Sequence, residues 1–272
     1  MDRTPATVTA TADRREPQAY ELHVVPRLAA PLAMRLLEQL PLRTGQRLLD
    51  VACGTGIVAR LAAPRVAPSG SVTGIDLDEG MLAVARARAE EEGLPIDWKQ
   101  ADAGELPFAD ASFDVVVCQQ GLQFFPDRAR AVREMRRVVS DSGIVALAVT
   151  GAPTAYNTAL AQALTRRGHA MAATRCLAPF VLADPLLIRS IVSDAGFSAI
   201  DLRTEMLVRR FEPTQEWLLQ ESAGRPYGGL IAEMDDADRA AMVREIAAGL
   251  SQYWKNDSFS IPREVHLVLA RK

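Results

Sequence analysis

Residues 48–64, "LLDVACGTGIVARLAAP", decide the reading of this chain. Leu48 to Val51 form a short apolar run that ends around a carboxylate, Asp50, and reads as a buried strand. Ile57 to Pro64 read as a helix stopped by Pro64. Between strand and helix, Gly54, Gly56 and Ala59 fit G-x-G-x-x-A, a turn that brings backbone N–H groups close to a ligand phosphate. Asp50 does not suit that ligand. A carboxylate ~4 Å from a phosphate charge costs about 4 kcal/mol at an effective dielectric near 20.

Working outward, strands and helices alternate. "SVTGID" (71–76), "IDWKQAD" (96–102), "FDVVVCQ" (113–119) and "GIVALAV" (143–149) read as further strands, the last two apolar enough to be covered on both faces. The helices between them are "EGMLAVARARAEEEG" and "DRARAVREMRRVV", the latter with Asp127 as N-cap. "APLAMRLLEQLPL" precedes the set as a helix with Leu32, Leu36, Leu37 and Leu40 on one stripe. This rhythm calls for an α/β fold, a mostly parallel sheet with helices on both faces, in a core over 45–150.

After Thr150 the rhythm breaks. Segments 152–180 and 213–258 are helix-rich and read as cap-like insertions over the ligand edge. "DPLLIRSIVSDAGF" is a helix capped by Asp184 and ended by Gly196. "AIDLRTEMLVRRF" alternates, which places Ile200, Leu202, Met206 and Val208 on a covered face and Asp201, Arg203 and Glu205 on a wet one. "EVHLVLARK" closes the chain as a strand. Residues 1–18 are polar and read as a loose tail, with 19–272 as one domain.

In open parallel sheets ligands bind outside the carboxyl ends of the strands. Asp50, Asp76 and Asp102 stand at three such ends. Asp76, twenty residues beyond Gly56, is placed to accept both hydroxyls of a ribose. Asp50 and Asp102 argue for a ligand that is cationic and free of phosphate. S-adenosylmethionine meets these requirements with an adenosine, a sulfonium and an amino acid tail.

"LLDVACGTGIVA", "GIDLDEGMLAVARA", "ADAGELPFADASFDVVVCQQGLQFFPD" and "REMRRVVSDSGIVALAV" together resemble the successive motifs of the class I S-adenosylmethionine-dependent methyltransferases. The branch they are most similar to acts on small molecules and includes the ubiquinone and menaquinone C-methyltransferases. The resemblance covers roughly 45–150. It implies a Rossmann-like seven-stranded sheet with an antiparallel last strand, and strands over 198–209 and 264–271 suit that. It also implies that Asp50, Gly54 and Gly56 line the methionine and ribose side, Asp76 holds the ribose, and Leu77 and Met81 lie against the nucleoside. Asp102 and Ala103 would meet the adenine edge, Gln119 would lie beneath the methionine, and Tyr20 would fold over the cofactor. Ala52 departs from the pattern, standing where many members have the first glycine.

The acceptor is expected to be a small, fairly apolar molecule methylated on oxygen, carbon or nitrogen. Phe124, Phe125, Trp217, Tyr227, Tyr253 and Trp254 are candidate walls, and His23 and His169 candidate bases. "CQQGLQFF" lacks the Asn/Asp-Pro-Pro-aromatic motif of DNA amino-methylating enzymes, the paired glutamates of protein arginine methyltransferases are missing, and no metal-ligand cluster is visible. Two other readings stay open: a protein of this fold that binds the cofactor but catalyses a cyclisation or isomerisation, and, on the glycines alone, a nicotinamide dehydrogenase.

With 49% hydrophobic and 24% charged residues and a net charge of −3, the chain has an ordinary globular composition and no basic footprint for nucleic acid or anionic membrane. The three cysteines, Cys53, Cys118 and Cys176, lack ligand or disulfide spacing, and Cys53 reads as a small loop residue rather than a nucleophile. A cytoplasmic location is the expectation. The oligomeric state is open, a homodimer included.

Overall fold

The computed structural model describes residues 15–272. Most of the tail expected over 1–18 lies outside the described residues; within it, Arg15–Ala19 form a first helical turn, α1. The chain continues through Tyr20–Ala29, wound in the wider π geometry, into α2 (Ala30–Glu38). The Leu32, Leu36, Leu37 and Leu40 stripe is buried against the sheet.

Eight strands follow: β1 (Arg47–Val51), β2 (Ser71–Asp76), β3 (Ile96–Gln100), β4 (Phe113–Gln119), β5 (Val139–Thr150), β6 (Ala199–Phe211), β7 (Trp254–Lys255) and β8 (Ser258–Arg271). The sheet order is β3-β2-β1-β4-β5-β8-β6, with β7 paired to β8 through a hairpin. Asn256 and Asp257, both at positive φ, make that two-residue turn. The first five strands are parallel, and β8 is antiparallel to both neighbours. The reversed strand therefore lies inside the sheet, between β5 and β6. Strand order reverses between β1 and β4, which opens the ligand crevice at their carboxyl ends.

The helices that flank the core strands are α3 (Ile57–Val66), α4 (Glu79–Glu91) and α5 (Arg128–Val138), with α8 (Pro185–Asp194) following the break in rhythm. Three of them carry local side-chain N-caps. Asp78 accepts from the Gly80 and Met81 N–H groups, Asp127 from Arg130 and Asp184 from Leu186. Pro64 does not stop α3, which runs on to Val66. So near the C-terminus it removes one intrahelical bond from the last turn without breaking the helix.

Two apolar layers form on the faces of the sheet. One joins β4 and β5 to α5 and α8, and the other joins β1, α2 and α3. Each fully buried Leu or Val contributes about 1.5–3 kcal/mol of burial. A third cluster is built from α6 (Ala155–Arg166), α7 (Ala170–Leu177), α9 (Gln215–Ser222), α10 (Gly228–Glu233), α11 (Asp236–Gly249) and the far ends of β6 and β8. It gives the two late helical segments a core of their own.

Strand β6 corrects the expected alternation. Ile200 and Leu202 pack against the layer under α8, as read, but Met206 and Val208 are exposed. Beyond Thr204 the opposite face is the covered one, carrying Glu205, Leu207, Arg209 and Phe211. The strand keeps its period while the covering layer changes from α8 on one side to α2 and the third cluster on the other. A strand covered on different faces along its length has no single wet side.

Candidate functional site

A cavity of about 390 Å³ opens at the carboxyl ends of β1, β2, β3 and β4. Among the expected cofactor residues, Tyr20, Asp50, Ala52, Gly54, Asp76, Leu77, Met81, Asp102, Ala103 and Gln119 line it. Gly56 does not. It sits at φ +84, and a Cβ there would lie 2.4 Å from the Trp98 ring, so this glycine makes the turn into α3 and seats Trp98.

The loop is held by carboxylates. Asp50, 1% exposed, accepts from the Ala59 N–H at 3.0 Å and so fixes the first turn of α3. Asp76 accepts from the Gly54 N–H at 2.8 Å and the Asp78 N–H at 2.9 Å. Asp102 holds the Gly104 N–H at 2.7 Å. Burial pushes the Asp50 carboxyl up to about 8, against the pull of the Ala59 bond. Asp76 is raised as well, by burial first, although N–H donors oppose it. The Asp50 charge is therefore conditional, and a cation entering the cavity is what favours it.

Ala52 carries backbone strain at φ +56, a left-handed conformation that suits glycine better. Gln120, at φ +57, is strained in the same way. Both residues line the cavity. Strain at a ligand clamp of this kind persists only where the surroundings over-determine it.

The N-terminal helix is clamped over the glycine loop. Glu21 accepts from the Thr55 hydroxyl and pairs with Arg60 at 2.7 Å, and Gln119 Nε2 donates to the Ala29 carbonyl at 3.0 Å. This places Tyr20 at the cavity wall. Gln119 Oε1, buried, has no partner among the described residues. Cys53 and Cys118 are buried with their thiols pushed up, Cys118 to about 12, so neither is an available nucleophile.

A second cavity of about 160 Å³ adjoins the first and shares Tyr20, Ala29, Gln120 and Phe124 with it. It is not the apolar chamber expected. Alongside Val24, Phe180, Phe211 and Ile261 it is lined by Arg209, Arg225, Arg263, Glu221 and Tyr156. Of the six expected walls, Phe124 lines both cavities and Phe125 the first. Trp217 stands one layer back, stacked on Phe211 at 4.1 Å, and Tyr227 is buried in the third cluster. Tyr253 packs at the edge of that cluster, and Trp254 lies edge-on to Phe259 at the β7 hairpin; neither lines a cavity. Aromatic residue type singled out bulky side chains in the late helices, but those side chains fill the core of those helices.

The candidate bases are also corrected. His23 lies on the N-terminal helix and His169 caps α7, and neither lines either cavity. His266 is buried in β8, with Nε2 donating to the Ala183 carbonyl at 2.9 Å and the Thr204 hydroxyl 2.9 Å from Nδ1. That is a structural histidine.

The arginines of the second cavity were missed because each looks ordinary in its own segment. Arg209 falls on what alternation alone takes for the wet face of β6, and Arg263 precedes the apolar run of β8. The one visible signal was Glu221, a carboxylate beside the apolar stretch "WLL" in a short helix.

With this geometry in place, comparison with known proteins is direct. A family model described as "Methyltransferase domain" matches residues 49–147, the stretch that supplies Asp50, Asp76, Asp102 and Gln119. That stretch is similar to methyltransferase domains. A demethylmenaquinone methyltransferase of Staphylococcus aureus (strain JH9) is 40% identical over 121 residues, 44% of this chain and 49% of that protein. The chain thus spans about half the length of the curated relatives it matches. A putative methyltransferase of Bacillus halodurans superposes with a TM-score of 0.61 at 23% identity, over 88% of this chain and 98% of that one. Haemonchus contortus phosphoethanolamine N-methyltransferase 2, solved with S-adenosyl-L-methionine, gives 0.62 at 22% identity, over 97% and 58%. A [4+2]-cyclase, SpnF, shares the fold at 0.56 and 23% identity, over 90% and 81%. The fold shared with these structures extends through the late strands, beyond the stretch the family model covers.

Proposed function

We propose that this protein transfers the methyl group of S-adenosylmethionine to an oxygen, carbon or nitrogen of a small-molecule acceptor. One observation carries the reading: the first cavity is lined by four carboxylates, Asp50, Asp76, Asp78 and Asp102, and, among the described residues, by no lysine or arginine. A pyrophosphate would meet four carboxylates and no side-chain cation there, whereas an ammonium and a sulfonium find their counter-charges. The unpartnered Gln119 Oε1 adds a buried acceptor of the kind an ammonium requires. The cavity volume falls within the range of small-molecule sites.

When bound, S-adenosylmethionine supplies a methyl carbon already activated by its sulfonium. The chain's own residues then bind and orient. Asp76 offers its remaining lone pairs to the ribose hydroxyls. Asp102 and Ala103 meet the adenine edge. Asp50 and Gln119 hold the amino acid tail, and Tyr20 and the clamped N-terminal helix exclude water. Much of the rate in such a displacement comes from holding the acceptor in line within a dry pocket. Neither cavity is lined by a histidine, so the residues at hand favour an acceptor that needs little help to lose a proton.

The shared fold with a [4+2]-cyclase and this same lack of a histidine base favour one second reading, in which the protein binds the cofactor without spending its methyl group. Calorimetric titration with S-adenosylmethionine, S-adenosylhomocysteine and NAD separates the possibilities, followed by mass spectrometry for S-adenosylhomocysteine formed over an acceptor panel. Binding of NAD alone overturns the proposal. Cofactor binding with no homocysteine product across the panel favours the second reading. We assign the protein to the cytoplasm on the same footing. No helix among the described residues is long and apolar enough by itself to cross a membrane.

A further inference from the structure

The second cavity holds an imbalance of charge. Arg209 on β6 pairs with Ile261 of β8, and Arg263 follows two residues on, so the two guanidiniums share a face as diagonal cross-strand neighbours. Arg225 reaches them from the loop after α9. Three cations thus meet one carboxylate, Glu221, whose side chain is 2% exposed.

The cations are not equivalent. Arg209 binds both Glu221 oxygens and lies over the rings of Tyr156, Phe211 and Trp217 at 5.4–5.8 Å. Arg225 donates to the Glu221 carbonyl at 2.8 Å and to its carboxylate at 3.0 Å. Both Glu221 carboxylate oxygens are thereby engaged. The arginines hold its carboxyl below the usual range in spite of burial. Arg263 is left with the Thr150 hydroxyl at 3.2 Å and makes no ion pair among the described residues. Burial and the fields of Arg225 and Arg209 push its guanidinium down to about 10.

A guanidinium held in a cavity beside two others is costly unless an anion joins it. Two further groups in the cavity wall lack partners. The Tyr156 hydroxyl, in a side chain 1% exposed, and Gln123 Oε1, in one 3% exposed, have no hydrogen bond among the described residues. A hydroxyl donor beside a fork of N–H donors suits an oxyanion.

We propose that the second cavity is an anion subsite, and that the acceptor is a molecule with an apolar body and one carboxylate or phosphate monoester group seated on Arg263, with Arg225 and Tyr156 beside it. The apolar body lies against Phe124 and Val24 and leads to the shared wall with the first cavity. The two chambers then have opposite polarity, acidic for the cofactor and basic for the acceptor's far end. This inference rests on the methyltransferase reading for the word acceptor, and its test separates the two.

The test uses the full chain saturated with S-adenosylhomocysteine. Calorimetry measures phenylacetate, phenyl phosphate, their neutral counterparts phenylacetamide and phenol, and inorganic phosphate, in wild type, Arg263→Gln and Arg263→Lys. Phenylacetate and phenyl phosphate represent the two sources of the anion, and the tighter one identifies the group. At least one is expected to bind at least about tenfold tighter than its neutral counterpart and than inorganic phosphate. Arg263→Gln is expected to weaken it about 10- to 100-fold, and Arg263→Lys less. S-adenosylhomocysteine affinity is expected to stay the same in both variants, since Arg263 does not line the first cavity. Equal affinity for charged and neutral probes in the wild type overturns the subsite, whether or not the variants fold. So does an anion affinity unchanged by Arg263→Gln. Inorganic phosphate binding as tightly as phenyl phosphate overturns the acceptor role and leaves an adventitious ion only. Failure of S-adenosylhomocysteine to bind wild type overturns the cofactor reading instead.

Discussion

Asp50→Asn removes one ionisable group from the first, acidic cavity while keeping an acceptor for the Ala59 N–H, which Asp50 holds at 3.0 Å. Because burial pushes its pKa up to about 8, Asp50 is protonated at mildly acid pH in the native protein. An unfolded aspartate titrates near about 4. Between those two values the native state binds one proton more than the unfolded chain, so stability falls as pH rises through the window. The slope is at most about 1.4 kcal/mol per pH unit.

Cofactor binding runs the other way. A cationic ligand selects the ionised carboxylate, so affinity for S-adenosylmethionine should rise up to about tenfold per unit between about pH 6 and about pH 8, with one proton released. In Asp50→Asn both dependences flatten. The variant should match wild-type stability near about pH 6 and bind the cofactor about 10- to 100-fold more weakly near about pH 8. Titration calorimetry in two buffers of different ionisation heat counts the proton, and urea unfolding at the two pH values reads the stability. Wild-type binding that releases no proton, or an Asn variant with the wild-type pH slope, refutes the reasoning.

Three further perturbations follow from the same geometry. Asp76→Ala should greatly weaken cofactor binding and also cost about 1–3 kcal/mol, because the Gly54 and Asp78 N–H groups lose their acceptor; unfolding with and without ligand checks both parts. Ala52→Gly should raise stability by up to about 1 kcal/mol by relieving a left-handed alanine, and a lowered melting temperature would show that the strain is not there. Glu21→Gln weakens the clamp on Arg60, whose side chain is 5% exposed, at about 1–3 kcal/mol. Hydrogen exchange should then quicken over Tyr20–Ala29 with the sheet unaffected, and uniform quickening would point to global loosening instead.

The core was legible because its signals are local. A strand, a turn and a helix N-cap each depend on a handful of adjacent residues, which is why Asp127 and Asp184 cap where the sequence places them. The acidic cavity was legible for a related reason. In a parallel sheet every core strand ends on the same edge, so the residues after Asp50, Asp76, Asp102 and Gln119 converge once the strand order is known. The packing of Gly56 against Trp98 was not legible, because Trp98 comes from a strand 42 residues further along the chain.

The second cavity was not legible. Arg209, Glu221, Arg225 and Arg263 come from β6, α9, the loop after it and β8, and no spacing in the chain announces that they meet. Whether an arginine on a strand faces water or a chamber depends on what covers that face, and on β6 the covered face changes midway. His23, His169 and the late aromatic residues lie off both cavities on the same ground, since residue type says nothing about which side of a helix meets a cavity. The ionisation of Asp50 is likewise set by burial rather than by its neighbours in sequence. The sequence by itself determined the fold class and an acidic edge of the sheet, because both follow from periodicity and strand ends. Tertiary structure decided the charge state of that edge and the basic chamber beside it, because both arise from groups far apart in the chain that share one low-dielectric space.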